Sequence, residues 1–356
     1  MTTIPDPFQA SPRLSPANEI IIQGINHPSL FLPIPSTDPL TALLSKYVPL
    51  EARPQRDLIG RYEEQTLDAL VMSNSWRALA RMAKDQIVAT SETEVALILD
   101  LWSLRLSSLA RMRLFNQATA ECTNLYVVLG TVSPPVLRRI VPYELDILRA
   151  RTMYWSGDFR GYLDELVRLV RMCKRATRSG GGAKGTIGAM WAERGTRTGM
   201  MIVTQLIEMQ DYVGALTMLR PLADSHDASP ELLFALARIA MESGNSASAH
   251  ALASCVVANP GVDGSTQSLT RALEAAMIGR WGDAEEVLKE AWQKDRENAV
   301  IANNLAVVLL SCGKLDEAIE LLEGMLTNSP ATFVAVEPFL YNLGRFDPIS
   351  HHRYPD

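Results

Sequence analysis

The chain has 356 residues, of which 47% are hydrophobic and only 6% aromatic, and it carries a formal net charge of -6. This length exceeds one ordinary hydrophobic core, so the chain forms either several domains or one extended array of repeats. A low aromatic content with many Leu, Ala, Arg and Glu residues favours stacked helices over β-sandwiches. The acidic balance gives no overall attraction to nucleic acid, so we expect no nucleic-acid partner.

Cysteine spacing and hydropathy indicate the cellular compartment in which the protein lies. Cys122, Cys173, Cys255 and Cys312 lie far apart in apolar helical patterns, without the paired spacing of a zinc site or a disulfide framework. The N-terminus lacks a basic region followed by an apolar core, and no stretch reaches the roughly 18 apolar residues of a membrane span. These features predict a cytoplasmic protein that is neither secreted nor membrane-spanning.

Residues 1–56 are predicted to form an irregular, proline-rich arm. Ten of the twenty prolines fall there, and they interrupt short apolar pieces such as EIIIQGI and SLFLPIP before a helix could complete three turns. A fully disordered tail is usually more polar. We therefore expect parts of the arm to dock on the helices.

Residues 57–195 are predicted to hold degenerate helical repeats. Turn signals occur in NSWRALA from Asn74, RLFNQA from Arg113 and SGDFRGY from Ser156. A glycine-rich loop follows near residues 179–188, where GGGAKG formally satisfies the G-x-G-x-x-G pattern. That pattern indicates dinucleotide binding only after a strand, whereas here it follows a basic helix, so we predict a flexible loop between helices.

The helix around residues 164–178 carries a basic stripe opposite an apolar face. The stripe follows helical spacing and consists of Arg168, Arg171, Lys174, Arg175 and Arg178. Residues 138–184 hold 11 basic and 5 acidic residues, whereas residues 250–356 hold 8 and 15. The stripe is either a solvated face or a contact surface for an acidic partner subunit or an anionic membrane.

Residues 196–343 are predicted to form four repeats and an end cap. The turn signals QDYVGA, GNSASA, GRWGDA and GKLDEA close on alanines that are 34, 35 and 34 residues apart. This period, with two helices and a tight turn, resembles the tetratricopeptide repeat over roughly residues 196–332. The positions where the paired helices approach most closely are Val203 and Ala215, Ala237 and Ala249, Ala272 and Ala284, and Ala306 and Ala318. The resemblance implies an all-α, right-handed solenoid of antiparallel helix pairs.

In this repeat family a concave groove is lined by two positions of each first helix. The predicted partner-binding residues are Met200, Phe234, Arg238, Leu269, Leu273 and Val307. The Lys and Asn clamp of chaperone-tail receptors is absent, so the groove suits an amphipathic helix or an extended apolar peptide. Alternatively, the chain's own arm or an end helix fills it.

No pattern in the chain indicates catalysis. The histidines do not stand at metal-ligand spacing, and no Ser or Cys lies in the strand-turn-helix context of a nucleophile elbow. We expect no catalytic residue, metal, cofactor or small-molecule substrate. For residues 344–356, Gly344, Pro348 and Pro355 predict an irregular tail.

Three segments carry a more specific resemblance: RYEEQTLDALVMSNSWRALARMAKDQIV, LDLWSLRLSSLARMRLFNQATAEC and VPYELDILRARTMYWSGDF. They resemble the family of subunit 12 of the TRAPP vesicle-tethering complex over roughly residues 40–343, including Trp76, Trp102 and Trp155. The resemblance implies an accessory subunit of the TRAPP III form, bound to other TRAPP subunits and peripherally associated with Golgi and ER-Golgi membranes. That assembly is an exchange factor for a Rab GTPase in endoplasmic reticulum to Golgi transport and autophagy, with catalysis in its small core subunits. The alternative is another tetratricopeptide adaptor in an unrelated assembly, because the same helix and repeat patterns would fit it.

Overall fold

The computed structural model describes residues 20–35, 45–46, 49–52, 66–182, 185–223, 229–328 and 336–351. Within these ranges the chain forms sixteen α-helices and two short 3-10 helices, with no strand. The predicted all-α fold class is therefore confirmed. The chain divides into two compact units, residues 1–202 and 203–356.

The described residues of the first unit form seven α-helices and the beginning of an eighth. They are α1 (Leu67–Met72), α2 (Trp76–Ala89), α3 (Val95–Arg111), α4 (Phe115–Leu129), α5 (Pro134–Ile140), α6 (Tyr143–Trp155) and α7 (Phe159–Ser179). Helix α8 (Thr186–Glu208) begins in the first unit and ends in the second. The core of the first unit centres on Trp102, whose side chain is fully buried on α3.

The second unit continues the series of helix pairs. Its helices are α9 (Tyr212–Ala223), α10 (Pro230–Glu242), α11 (Ser246–Ala258), α12 (Gly264–Met277), α13 (Trp281–Lys294), α14 (Ala299–Ser311), α15 (Leu315–Asn328) and α16 (Glu337–His351). Helix α10 contacts both its partner α11 and the next first helix, α12, and α12 contacts α13 and α14 in the same way. This is the packing of stacked helix pairs.

Small side chains lie where the paired helices cross. All eight positions predicted for this role are buried, from Val203 at 4% exposure to Ala215, Ala237 and Ala306 at 0%. An alanine there lets two backbones approach closely, and the surrounding leucines fill the remaining space. Their burial is what the predicted register of the repeats requires.

The turn between the paired helices has one recurring backbone conformation. Gly244, Gly279 and Gly313 adopt positive φ angles of 71°, 80° and 77°. In the repeat without a turn glycine, Gln210 adopts the same conformation with φ 61°. In the first unit the predicted turn signals contain Asn74, Arg113 and Gly157, with φ angles of 55°, 58° and 82°. The same turn therefore joins helices upstream, although the sequence pattern there is weak.

Part of the predicted arm docks on the first unit. Ile22 and Ile25 are at most 1% exposed and Phe31 is 8% exposed, all in the core cluster that contains Trp102. This confirms that apolar pieces of the arm pack on helices. Residues 1–19 and 36–44, and most of those up to residue 65, lie outside the described residues.

The glycine-rich loop joins α7 to α8 by a tight reversal. Gly181 and Gly182 adopt φ angles of 88° and 72°, and a Cβ on Gly188 would overlap the Gly182 carbonyl oxygen. Residues 183 and 184 lie outside the described part of the chain. No strand precedes the loop among the described residues, so the context for dinucleotide binding is missing there.

The C-terminal prediction requires a correction. An irregular tail was expected from residue 344, but α16 continues through Gly344 and Pro348 to His351. The prediction relied on proline ending a helix, because proline lacks the N–H that a helix interior uses.

Candidate functional site

The predicted groove residues of the second unit are mostly occupied in packing between repeats. Leu269 is 7% exposed and belongs to the core, so it offers a partner little surface. Phe234 and Leu273 are half-buried and pack against the same core cluster. Val307 on α14 is also half-buried. The groove is thus a shallow apolar strip.

Arg238 is the charged residue among the predicted groove residues. Its side chain is 55% exposed, its guanidinium carbon lies 5.8 Å from the centroid of the Phe234 ring, and Nη2 lies 4.0 Å from Glu242 Oε1. A cation above an aromatic ring stays available for a carboxylate while the ring holds it in place. Phe234 and Arg238 together form the most accessible feature of the strip.

The end helix packs against the last repeat. Asn342 Nδ2 on α16 donates to Asn303 Oδ1 on α14 at 2.9 Å, and Phe339 of α16 is fully buried in the core cluster. Whether an end helix fills the groove stays a prediction. The described part of the arm lies elsewhere, on the first unit. Met200, the remaining predicted groove residue, is exposed and belongs to the first unit.

All five residues of the basic stripe are exposed on α7. Arg171, Lys174, Arg175 and Arg178 make no ion pair within the described residues. The opposite face of α7 buries Leu166, Leu169 and Cys173. The stripe therefore faces away from the core of its unit.

Arg168 differs from the rest of the stripe because it is engaged within the chain. Its Nη2 lies 2.7 Å from Glu165 Oε1 and 3.8 Å from Asp146 Oδ1. Burial raises the pKa of Asp146, and the Arg168 guanidinium opposes that rise. Tyr126 also donates to Asp146 at 3.2 Å. Arg168 thus stabilises a partly buried carboxyl group, and the surface available to a partner is formed by the other four residues.

A second cleft, which the sequence did not indicate, lies among the second helices of the last two repeats. It encloses about 800 Å³ over a floor that includes Leu305, Leu309 and Met325. Trp292 stands at its edge with the Arg296 guanidinium carbon 5.4 Å from the ring centroid. The predicted groove uses only first-helix positions, and the signal that could have identified this cleft was Trp292, a large aromatic residue near the end of a second helix.

An ion network joins the last two repeats beside this cleft. Glu285 Oε1 lies 2.7 Å from Lys289 Nζ and 2.5 Å from Lys314 Nζ, and Lys289 also approaches Glu317 at 3.3 Å. The hydrogen bonds from Lys289 and Lys314 lower the pKa of Glu285 to about 2. Glu285 is therefore ionised at neutral pH and links α13 to the turn before α15.

The described residues show no constellation that would hold a metal, because no three His, Cys, Asp or Glu side chains cluster suitably. Burial raises the pKa of the Cys122 thiol to about 12, so this thiol is a poor nucleophile. None of the described helices has both the length and the apolar composition needed to cross a membrane.

Comparison with known proteins adds the family context. A model of the tetratricopeptide repeat family matches residues 278–331. Trafficking protein particle complex subunit 12 of Homo sapiens is 26% identical over 318 residues, covering 78% of this chain and 43% of the human protein. The Mus musculus protein of the same name is 25% identical over 350 residues, covering 86% and 44%. The chain thus spans less than half the length of these curated relatives.

Among solved structures, the chain is similar to one described as the crystal structure of the APC/C hetero-tetramer Cut9-Hcn1. The TM-score is 0.39 and the sequence identity 13%, over 86% of this chain and 51% of that chain. A similarity at this level carries no argument about function. The described residues are all-α and form helix pairs with buried alanines, residues 278–331 match the tetratricopeptide repeat family, and the chain is similar in sequence to trafficking protein particle complex subunit 12.

Proposed function

We propose that the chain is a non-catalytic accessory subunit of a TRAPP-type vesicle-tethering complex, of the TRAPP III form. The observation that carries this proposal is the sequence similarity to trafficking protein particle complex subunit 12, which extends over 78% of the chain and beyond the matched repeat. Stacked helix pairs bind proteins through extended surfaces, which suits a scaffold. The complex would act as a Rab exchange factor in endoplasmic reticulum to Golgi transport and autophagy, with exchange activity in other subunits.

Two surfaces are proposed to hold the subunit in place. The Phe234 and Arg238 feature offers an aromatic ring and a cation to an amphipathic or acidic segment of another TRAPP subunit. The unpaired residues of the basic stripe offer positive charge to an acidic partner or to an anionic membrane surface. The protein would then lie in the cytoplasm, peripherally associated with Golgi and ER-Golgi membranes.

The test is affinity purification of the tagged full chain at native expression level, followed by mass spectrometry. We expect TRAPP subunits to co-purify with the wild type. Recovery of an unrelated set of proteins would contradict the assignment and favour the alternative, a tetratricopeptide adaptor of another assembly.

A matched pair of variants tests the groove. Phe234→Ala with Arg238→Glu should lose subunits, because both the ring and the cation are removed. Met218→Ala with Arg271→Glu changes exposed residues of the same unit outside the groove positions and should retain them. Circular dichroism verifies that both variants are folded. A folded groove variant that recovers every subunit would exclude this surface from docking.

A further inference from the structure

Residues 20–35 run through a groove on the first unit that is built by α2, α3 and α4. The segment is extended apart from short turns and the 3-10 helix Pro28–Leu30. Its internal hydrogen bonds close only local turns, such as Ile25 N to Ile22 O, and a similar number of hydrogen bonds join it to the helices. Its conformation therefore depends on what the groove supplies.

The groove binds mainly the main chain of this segment. Trp102 Nε1 donates to the Ile25 carbonyl at 3.1 Å, and Asn124 Nδ2 donates to the Leu30 carbonyl at 3.2 Å. At Leu32 both main-chain groups are bound, since the N–H donates to Glu121 Oε1 at 2.9 Å and the carbonyl accepts from Arg105 Nη2 at 3.1 Å. One ion pair thus binds both polar groups of a single extended residue.

This polar floor is held by bonds within the groove itself. Arg105 Nε and Nη2 donate to the two carboxylate oxygens of Glu121 at 2.9 and 2.5 Å, and Nη1 donates to the Ala80 carbonyl at 2.9 Å. Without the segment, Arg105 loses its hydrogen bond to Leu32 and its contact with the Phe31 ring, but keeps its bonds to Glu121 and Ala80. A bidentate ion pair with a further bond to the main chain keeps its geometry, so the groove is preorganised to receive a peptide.

Beside the ion pair is a slot for an aromatic ring. Phe31 stacks on Trp102 with ring centroids 4.5 Å apart and planes 5° apart, and the Arg105 guanidinium carbon lies 5.7 Å from the Phe31 centroid. The ring is enclosed between an indole and a cation. This slot selects an aromatic residue directly before the residue whose main chain is bound.

We infer that this groove is a binding site for an extended peptide that carries an aromatic residue directly before the residue whose main chain is bound, and that residues 20–35 are its self-ligand. Its polar contacts with the helices are those that a bound peptide would make. Because it is covalently attached, its local concentration excludes a free peptide of the same chemistry until the link is cut. The inference rests on the first unit alone and does not depend on the proposed function.

The experiment keeps the whole chain and cuts only the link. A specific protease site replaces residues 55–60, and the purified chain is cleaved without removing the arm. A fluorescein-labelled peptide of residues 20–35 is then added, and exchange is followed by anisotropy. We expect the labelled peptide to replace the arm in the cleaved chain while the uncleaved chain binds none.

Peptide variants test the contacts. A Phe31→Ala peptide, or one N-methylated at Leu32 so that Glu121 loses its donor, should compete about tenfold more weakly or worse. A peptide N-methylated at Ile21 is the control, because Ile21 is exposed and its N–H makes no hydrogen bond in the described structure. This peptide should compete like the wild type.

Two kinds of result would overturn the inference. Loss of the helical circular dichroism signal on cleavage would show that the arm is an integral part of the fold. Absence of exchange in a folded cleaved chain, or equal competition by all peptides, would overturn it as well.

Discussion

Arg105 on α3 and Glu121 on α4 form a bidentate ion pair whose side chains are 1% and 0% exposed. Both are charged residues inside a core of leucine, isoleucine and tryptophan. Removing two charges from water is costly unless they are paired and hydrogen-bonded. The Ala80 and Leu32 main-chain groups supply the further bonds that this burial requires.

Replacing one partner of this ion pair should therefore destabilise the protein more than replacing both partners. We expect Glu121→Ala to lower the free energy of unfolding by about 3 to 5 kcal/mol, because it leaves a buried guanidinium without its carboxylate. The double variant Arg105→Met with Glu121→Leu should cost clearly less. Urea denaturation of both variants measures the difference, and equal losses would show that packing rather than charge dominates at this site.

The turn glycines should be intolerant of a side chain where φ is positive. Gly313→Ala should destabilise the chain by about 1 kcal/mol, because an L residue is strained in the left-handed region. Gly324→Ala lies inside α15 with open space around its Cβ and should stabilise it by about 0.5 to 1 kcal/mol. Thermal unfolding of the two variants should shift in opposite directions, and a stabilised Gly313→Ala would contradict the turn assignment.

The crossing of α14 and α15 should not accept a larger side chain. Ala306 is fully buried there, so Ala306→Leu should cost about 1 to 3 kcal/mol by overpacking. Ala251→Leu on the exposed face of α11 should change stability by no more than about 0.5 kcal/mol. An unchanged melting temperature for Ala306→Leu would mean that the register of the repeats is incorrect.

Low pH should weaken the ion pairs of Glu285 that join the last two repeats. Since the pKa of Glu285 is lowered to about 2, its ion pairs add stability that is fully present above its ordinary pKa of 4.5. That stability is lost as the pH falls from 4.5 toward 2. Glu285→Gln should melt earlier than the wild type at pH 7, and this difference should shrink as the pH falls. A difference that is the same at pH 7 and pH 3 would contradict the role of these ion pairs.

Charge reversal on the stripe should weaken binding in a salt-dependent way. Each basic residue near an anionic membrane contributes about 1 kcal/mol, so Arg171→Glu with Arg175→Glu should reduce sedimentation with phosphatidylserine-containing vesicles. The loss should diminish as salt screens the attraction. Arg271→Glu with Lys294→Glu changes net charge equally and is the control. If both variants bind vesicles and TRAPP subunits equally at low salt, the stripe is a solvated face and not a contact surface.

Features set by local pattern were accessible from the sequence. The period of 34 or 35 residues identified the turns of the second unit, and the alanines identified where helices cross, because both depend on contacts within one helix pair. Upstream the positive-φ turn residues are 39, 44 and 53 residues apart, counting from Asn74 through Arg113 and Gly157 to Gln210. Irregular spacing weakens self-similarity even though the turns are the same.

The groove shows where local pattern was insufficient. Phe234 and Leu269 occupy the same position in successive first helices, yet Leu269 is buried and Phe234 is half-buried. The difference depends on which neighbouring helix covers each side chain, and the spacing of residues does not encode that. The cleft beside Trp292 was missed for the same reason, since it forms only where α13 and α15 stand apart.

The sequence by itself determined the all-α class, the repeat period and the small residues at helix crossings, because each follows from the geometry of one helix and its chain neighbour. It also indicated that the arm would dock, because an apolar segment gains free energy by leaving water. Only the tertiary structure decided where the arm docks. Leu32 meets Arg105 and Glu121 across 73 and 89 residues of chain, and such contacts depend on burial and hydrogen-bond geometry that exist only once the helices have packed.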